Sequence, residues 1–354
     1  MNVITENDNN NWGQVVIEKI NDTVEENLTE FMEETTTQVT KPYRDPLYVV
    51  VPITVIYAAI FLTGIVGNIS TCVVIARNKH MHTATNYYLF SLAISDLLLL
   101  VSGLPPEVFF MWRKHSYVFG ETFCVLQSFA AETSANATVL TITAFTIERY
   151  VAICHPFQSH TLSKLSRAVK FVIAIWVSAL GLAIPQAIQY GVVTVIGNSG
   201  SIESYCTLKK VLIPNAFLIS ICVFFVVPMT VITVLYVLIG LKLRRSRLIT
   251  VKRRPSTPRS ELSKPRTSTP QSHVIRMLVA VVVGFFICWA PFHAQRLVAM
   301  YGHLDENPSK TVYVVYIFLT YISGVLYYLS TTINPLLYHI MSHKFRDAFK
   351  LLTG

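Results

Sequence analysis

A chain of 354 residues that is 52% hydrophobic and only 14% charged is too apolar for an ordinary water-soluble domain. Its formal charge of +9 is spread unevenly, and that asymmetry reads as membrane orientation; nucleic acid is not an expected partner.

Residues 1–46 form a polar tail with ten acidic and three basic residues, too poor in core-forming side chains to order before about Pro42. The tail lacks a positive n-region followed by an apolar core, so insertion is expected through the first helix without a cleaved signal peptide. Asn21-Asp22-Thr23 and Asn27-Leu28-Thr29 are glycan acceptor sequons, whereas Asn136-Ala137-Thr138 falls within a span, out of reach of glycosylation.

Residues 47–76 contain no Asp, Glu, Lys or Arg, and six more apolar stretches follow at about 84–111, 122–147, 168–190, 211–241, 274–300 and 311–340. Roughly 20 residues cross the hydrocarbon layer, so each is long enough, and in lipid each must be a helix to pair its own backbone. The expected fold is an all-α membrane protein: a seven-transmembrane helix bundle over 47–341 and a short amphipathic eighth helix within 342–354. Phe345 and Phe349 mark the apolar face of that last helix.

Basic residues gather after the first helix (Arg77, Lys79), before the fourth (Lys164, Arg167), at the end (Lys344, Arg346, Lys350) and through the loop after the fifth. These segments are expected in the cytoplasm, with the acidic tail outside. The basic loop, 248–271, carries Pro255, Pro258, Pro265 and Pro270, which prevent a continuous helix. It suits contact with a partner or anionic lipid, and phosphorylation among Ser256, Thr257, Ser260, Ser263, Thr267, Ser268 and Thr269. Of six cysteines, only Cys124, at the outer end of the third helix, and Cys206, in the loop 191–210, combine an oxidising location with freedom from the bilayer. A bridge between them would pin that loop across the mouth of the bundle. No metal-ligand cluster is expected.

Polar groups inside the spans carry the functional signal, because each must find a partner or water. Asn68, Asp96, Thr138, Ser330 and Asn334 fall in the inner half. They read either as a structural hydrogen-bond knot or as a cation-binding switch, with a sodium ion as an optional occupant and no cofactor required. Asn334-Pro335 frees a carbonyl and permits a bend, with Tyr338 a turn beyond.

Gly67-Asn68, Leu92-Ala93-Ile94-Ser95-Asp96, Glu148-Arg149-Tyr150, Trp176, Pro228 with Tyr236, Cys288-Trp289-Ala290-Pro291 and Asn334-Pro335-Leu336-Leu337-Tyr338 fall in the right spans to resemble a rhodopsin-like (class A) G-protein-coupled receptor over about residues 47–351. The resemblance implies that Glu148 restrains Arg149 at rest. On activation Arg149 would meet the G protein with Tyr236 and Tyr338. It implies a relay of Trp289, Phe285, Val139 and Pro228 that swings the sixth helix outward. Glu148 stands where Asp is commoner, and Ser330-Thr331 where Asn-Ser is frequent, leaving the sodium site one amide fewer.

Tyr328 stands where a retinal-binding lysine would be, and Ala131 where a monoamine receptor has Asp. The outer pocket instead offers Glu107, Glu132, His293 and Arg296, with Tyr313, Tyr316, Phe318 and Tyr321 available from the seventh helix. Two carboxylates facing one cavity suit a cationic group, arginine best. Phe119-Gly120-Glu121-Thr122-Phe123-Cys124, the stretch Ala131–Leu140, and Glu148–Pro156 resemble the neuromedin U receptors and their insect counterparts, the pyrokinin and pheromone-biosynthesis-activating neuropeptide receptors. This implies an amidated ligand ending in Pro-Arg-X and coupling through Gq to phospholipase C and calcium. Ghrelin, motilin and neurotensin receptors share much of the background, and a secondary transporter is the alternative from another class. Membrane lipids are further partners. The short end, without a lipid-bearing cysteine or Ser/Thr-rich tail, leads us to expect weak arrestin recruitment leaning on the basic loop. No nucleophile, base and orienter converge, so no enzyme is expected.

Overall fold

The computed structural model describes residues 46–113, 116–155, 165–196, 202–213, 215–252, 270–302, 310–341 and 345–347. The tail with Asn21 and Asn27, the loop from 253 to 269 with its candidate phosphosites, and Lys164, Lys344, Phe349 and Lys350 lie outside them.

Seven long helices follow the apolar stretches: α1 (Leu47–Arg77), α2 (Ala84–Trp112), α3 (Gly120–Cys154), α4 (Leu165–Ala187), α5 in three pieces, α6 (Pro270–Gly302) and α7 (Lys310–Met341). Six contain an apolar segment long enough to cross a membrane, and α6 has a shorter described one, Val282–Val298. At 33 residues α6 is roughly 50 Å long. The result is an all-α, multi-pass membrane bundle. Helical residues 345–347 follow, with Phe345 buried in a core cluster shared with α1, α2, α3 and α4.

Local chemistry sets the ends. The Asn78 amide side chain donates to the Val74 carbonyl at 3.0 Å where α1 stops, and Thr83 accepts from the Asn86 N–H at the start of α2. Gly120 opens α3 at a φ of +80°, left-handed backbone that glycine adopts without a Cβ penalty. α5 starts as Ala216–Ile221, passes through a π-helical turn, Cys222–Val226, and resumes as Val227–Lys252. Both α5 and α6 therefore run into the basic 248–271 segment.

α1 packs on α2 and α7, α6 on α7, and α3 on α2, α4 and α5. One core cluster joins α1, α2 and α7 around Tyr57, Leu100 and Tyr328, and another joins α2, α3, α5 and α6 around Val139, Phe285 and Trp289. Buried polar ties staple the helices: the Trp176 indole N–H donates to Ser91, which pairs with Thr141, and the Asn68 amide donates to the Thr331 carbonyl.

The expectation of a helix to about 190 and a plain loop beyond it needs correction. α4 ends at Ala187, and β1 (Tyr190–Ile196) pairs antiparallel with β2 (Ile202–Leu208), Val192 opposite Cys206. The Val192-Val193-Thr194-Val195-Ile196 run is β-branched throughout and continues the apolar signal of α4, which hides the boundary. Cys206 is bonded to Cys124 on α3, with Cα atoms 5.6 Å apart. The Lys209 ammonium contacts both Glu121 carboxylate oxygens at 2.6 and 2.8 Å, and the Tyr117 N–H donates to the Ser204 carbonyl. Tyr205 donates to Glu203, and burial, with that carboxylate, pushes its phenol up to about 12.

A Cβ on Gly64 would sit 2.7 Å from Leu100 Cδ1 and 3.3 Å from Thr332 Cγ2, where α1, α2 and α7 meet around a fully buried leucine. Gly64→Ala is expected to destabilise the bundle by about 1–3 kcal/mol, read as a lower thermal midpoint in detergent. In hydrogen–deuterium exchange, Cys206→Ser should speed exchange across β1 and β2 strongly. Lys209→Met should change it little, since an exposed ion pair contributes about 0–1 kcal/mol.

Candidate functional site

Beneath the hairpin, at the disulfide end, the helices enclose a cavity of about 310 Å³. α3 descends from Cys124 through Glu132 and Asn136, while α6 rises through Trp289, His293 and Arg296, and all of these last five line it. α2 contributes Glu107, immediately after Pro105 and Pro106, which leave two carbonyls without their usual intrahelical donors.

The two carboxylates are held differently. Glu132 accepts from the Gln186 amide of α4 at 3.2 Å and faces the same cavity as Ser220 of α5. Glu107 makes no hydrogen bond among the described residues and is open to the cavity. Arg296 lies within electrostatic reach of both, with its guanidinium 5.3 Å from the Phe292 ring centroid. The cavity thus holds two carboxyl groups and one guanidinium.

The floor is aromatic and passes directly into the core. Trp289 stacks on Phe285 at 4.8 Å and meets Tyr327 edge-on at 5.1 Å; Tyr327 in turn contacts Phe292 and Tyr328. Val139, Ile142 and Met229 close the cluster, with Met229 directly following Pro228.

A second, small cavity of about 10 Å³ lies deeper, between Asp96, Thr138, Ile142, Phe285, Ser330, Ile333 and Asn334. The Asn334 amide donates to Asp96 at 3.0 Å, Thr138 pairs with Ser95 at 2.9 Å, and Ser330 donates to the Tyr327 carbonyl at 2.6 Å. At the far end, the Arg149 guanidinium contacts Glu148 at 3.0 Å and lies 5.5 Å from the Phe145 ring centroid. Tyr88 lies within electrostatic reach of Glu148 and Arg149, and Tyr236 within reach of Arg149.

Of the residues singled out from sequence, Glu107, Glu132, His293 and Arg296 share one cavity, and Asp96, Thr138, Ser330 and Asn334 share the other. Phe318 does not join them: it is 62% exposed on the outer face of α7, and Tyr316 is absent from the lining too. The side chains of Tyr313 and Tyr338 fall outside the described residues. Lining residues that sequence reading missed include Gln127, Gln186, Phe217, Ser220, Phe224 and Tyr327. The one available signal was Gln186, a polar residue following Pro185 in an otherwise apolar helix end.

The family of 7 transmembrane receptors (rhodopsin family) matches residues 67–338. The chain is 50% identical over 356 aligned residues to the pyrokinin-1 receptor of Drosophila melanogaster, covering 87% of this chain and 81% of that one. It is 39% identical over 322 residues to neuromedin-U receptor 1 of Mus musculus (86% and 73% covered), and 36% over 304 to neuromedin-U receptor 2 of the same species (84% and 74%). These matches set aside the transporter alternative, and the family is one of receptors, not catalysts. A multi-pass protein of the plasma membrane, the chain belongs to the rhodopsin-family seven-transmembrane receptors and is related to the insect pyrokinin and vertebrate neuromedin U receptors.

Proposed function

We propose that this chain is a G-protein-coupled receptor for an amidated peptide ending in Pro-Arg-X-amide, signalling through Gq, phospholipase C and calcium. The observation that carries the reading is a cavity lined by two carboxyl groups, Glu107 and Glu132, against one guanidinium, Arg296. A ligand guanidinium can bridge carboxylates with its planar fork. Relatives named as pyrokinin and neuromedin-U receptors support the same ligand class.

In this reading all seven helices span, the tail with glycans at Asn21 and Asn27 is outside, and residues around 345–347 form an eighth helix along the inner leaflet. A disulfide favours the oxidising side for the hairpin, and the basic segments favour the cytoplasm for the opposite end. Ligand contacts press on Trp289 and, through Phe285, Val139 and the α5 segment at Pro228, move α6. At the inner end Arg149 leaves Glu148 and meets the G protein with Tyr236 and Tyr338. Arrestin leans on the basic loop. The oxygen donors of Asp96, Thr138, Ser330 and Asn334 fit a hard monovalent cation, so sodium is a reasonable occupant of the small cavity, holding α2, α3 and α7 together at rest.

In a calcium-release assay, peptides ending in Pro-Arg-Leu-amide should activate cells expressing the chain, and inactivity of the whole class would refute the ligand assignment. Glu107→Gln and Glu132→Gln should each weaken the response by about thirtyfold or more, the scale of a broken charge pair of roughly 2–5 kcal/mol, with lysine in the peptide recovering only part. Arg149→Ala should abolish nucleotide exchange on the G protein while peptide binding persists. Glu148→Gln, which removes the carboxylate that Arg149 contacts, should raise exchange without ligand; equal or lower basal exchange would argue against the restraint.

A further inference from the structure

The first turns of α4 carry cations that nothing among the described residues neutralises. Arg167 has one guanidinium nitrogen, Nη1, buried without a hydrogen-bond partner, and neither it nor Lys170 has an ion pair among the described residues. Arg149, at the same end of the bundle, differs from both: its guanidinium contacts Glu148 at 3.0 Å. A guanidinium is always charged, so a donor on it that neither water nor an acceptor reaches is costly to leave unmade. Met81, in the turn that follows α1, shares a buried cluster with Ala168 of α4, which brings exposed Lys79 to the same corner of the bundle. Neither 77–83 nor 165–171 contains an Asp or a Glu. The two faces of α4 show which way this corner looks. Ala168, Ile175, Ala179 and Ala183 are buried, whereas Ile173, Val177, Ile184 and Ile188 are exposed, so one side packs on the bundle and the other lies against hydrocarbon. Lys170 is exposed three residues before Ile173, about 4.5 Å further along the axis, and Arg167 comes another turn beyond it.

We propose that Arg167, Lys170 and Lys79 hold the phosphorylated head group of an anionic inner-leaflet phospholipid, whose acyl chains lie along Ile173 and Val177. An apolar stripe that ends in uncompensated cations has the polarity of a lipid, with chains beside the helix and charge at its end. The guanidinium offers paired donors in a planar fork that matches phosphate oxygens, and the two ammonium groups add point charges. A phosphomonoester on the head group brings up to two negative charges and three acceptor oxygens to three cations, more than the single charge of a diester. The apolar half of the site distinguishes a lipid from a soluble phosphate, which has nothing to place along the stripe. Within the bundle α4 packs on α3 and α2, so a head group shared with the turn after α1 would add a brace at its inner end. The inner-leaflet position follows the orientation set by the basic segments, and the identity of the peptide ligand plays no part in it.

The experiment places the full-length receptor in phosphatidylcholine nanodiscs with and without phosphatidylinositol phosphate and reads retained lipid by native mass spectrometry. Arg167→Gln and Lys170→Gln should each weaken retention about fivefold, and Arg167→Lys should recover only part of the loss. Arg244→Gln with Arg245→Gln, an equal charge change at the end of α5, should leave retention nearly unchanged. Equal losses in that control pair would reduce the effect to general attraction by a basic surface and overturn the site, as would full retention when Arg167 and Lys170 are both replaced. Soluble inositol phosphate at the same concentration should compete poorly; full displacement by it would overturn the lipid as occupant. Thermal midpoints in phosphatidylcholine alone should match across the variants, since no internal bond is lost, and the added lipid should raise the midpoint only where Arg167 and Lys170 are both present. The calcium response to Pro-Arg-Leu-amide tests the peptide reading separately, so either can fail while the other stands.

Discussion

Asp96 sits 3% exposed at the depth of a lipid bilayer, and the side-chain hydrogen bond that meets it comes from Asn334 at 3.0 Å. An acidic group there cannot face hydrocarbon, so α2 must turn it inward, and α7 must present its amide at that height. That requirement fixes the rotation of both helices about their axes. α1 then locks in through the Asn68 amide on the Thr331 carbonyl, and α3 through Ser134 on the Ser95 carbonyl and Thr138 on the Ser95 hydroxyl. Lipid supplies no hydrophobic drive between helices, so packing and such polar ties decide which faces meet.

α3 is the helix that touches every one of these layers. Glu132 and Asn136 line the main cavity, Val139 and Ile142 join the aromatic core, Thr138 joins the Asp96 cluster, and Glu148 and Arg149 pair at the far end. The aromatic contacts from Tyr57 through Tyr328 and Tyr327 to Trp289 and Phe285 run across the bundle, linking α1, α7 and α6. A close-packed chain of rings yields by switching arrangement, not by gradual compression, which suits a two-state transmission element.

The spans were legible because twenty-odd apolar residues in lipid leave no alternative to a helix, and the polar positions were legible because they interrupt those runs. Glu107, Glu132, His293 and Arg296 could be gathered from sequence for that reason. Phe318 could not be placed, because an aromatic residue on a membrane helix is equally at home facing lipid or cavity, and periodicity cannot separate the two faces of a helix that is apolar all round. The hairpin was hidden since Val192–Ile196 prolongs an apolar segment, and Gln186 and Ser220 gained meaning only when α4 and α5 brought them to Glu132. Such partnerships are properties of three-dimensional closure.

The π-helical turn in α5 leaves a trace in the chain's own arithmetic. Phe217 and Ser220 above it, and Phe224 within it, face the cavity at spacings of three and four; below it Met229, Ile232, Tyr236 and Ile239 face the core at the same spacings. Extending the upper series by regular helical steps would reach 228, 231 and 235, one short of each lower position. The π turn thus behaves as a single inserted residue that rotates everything beyond it by about 100°. The same residue count lets one helix serve two unrelated neighbours, the cavity above and the aromatic core below. Deleting one residue between 222 and 226 would leave a uniform helix with both stripes still in register, whereas straightening the turn at full length would carry the lower stripe about 100° away, so gaps in this short stretch carry more structural meaning than substitutions around it.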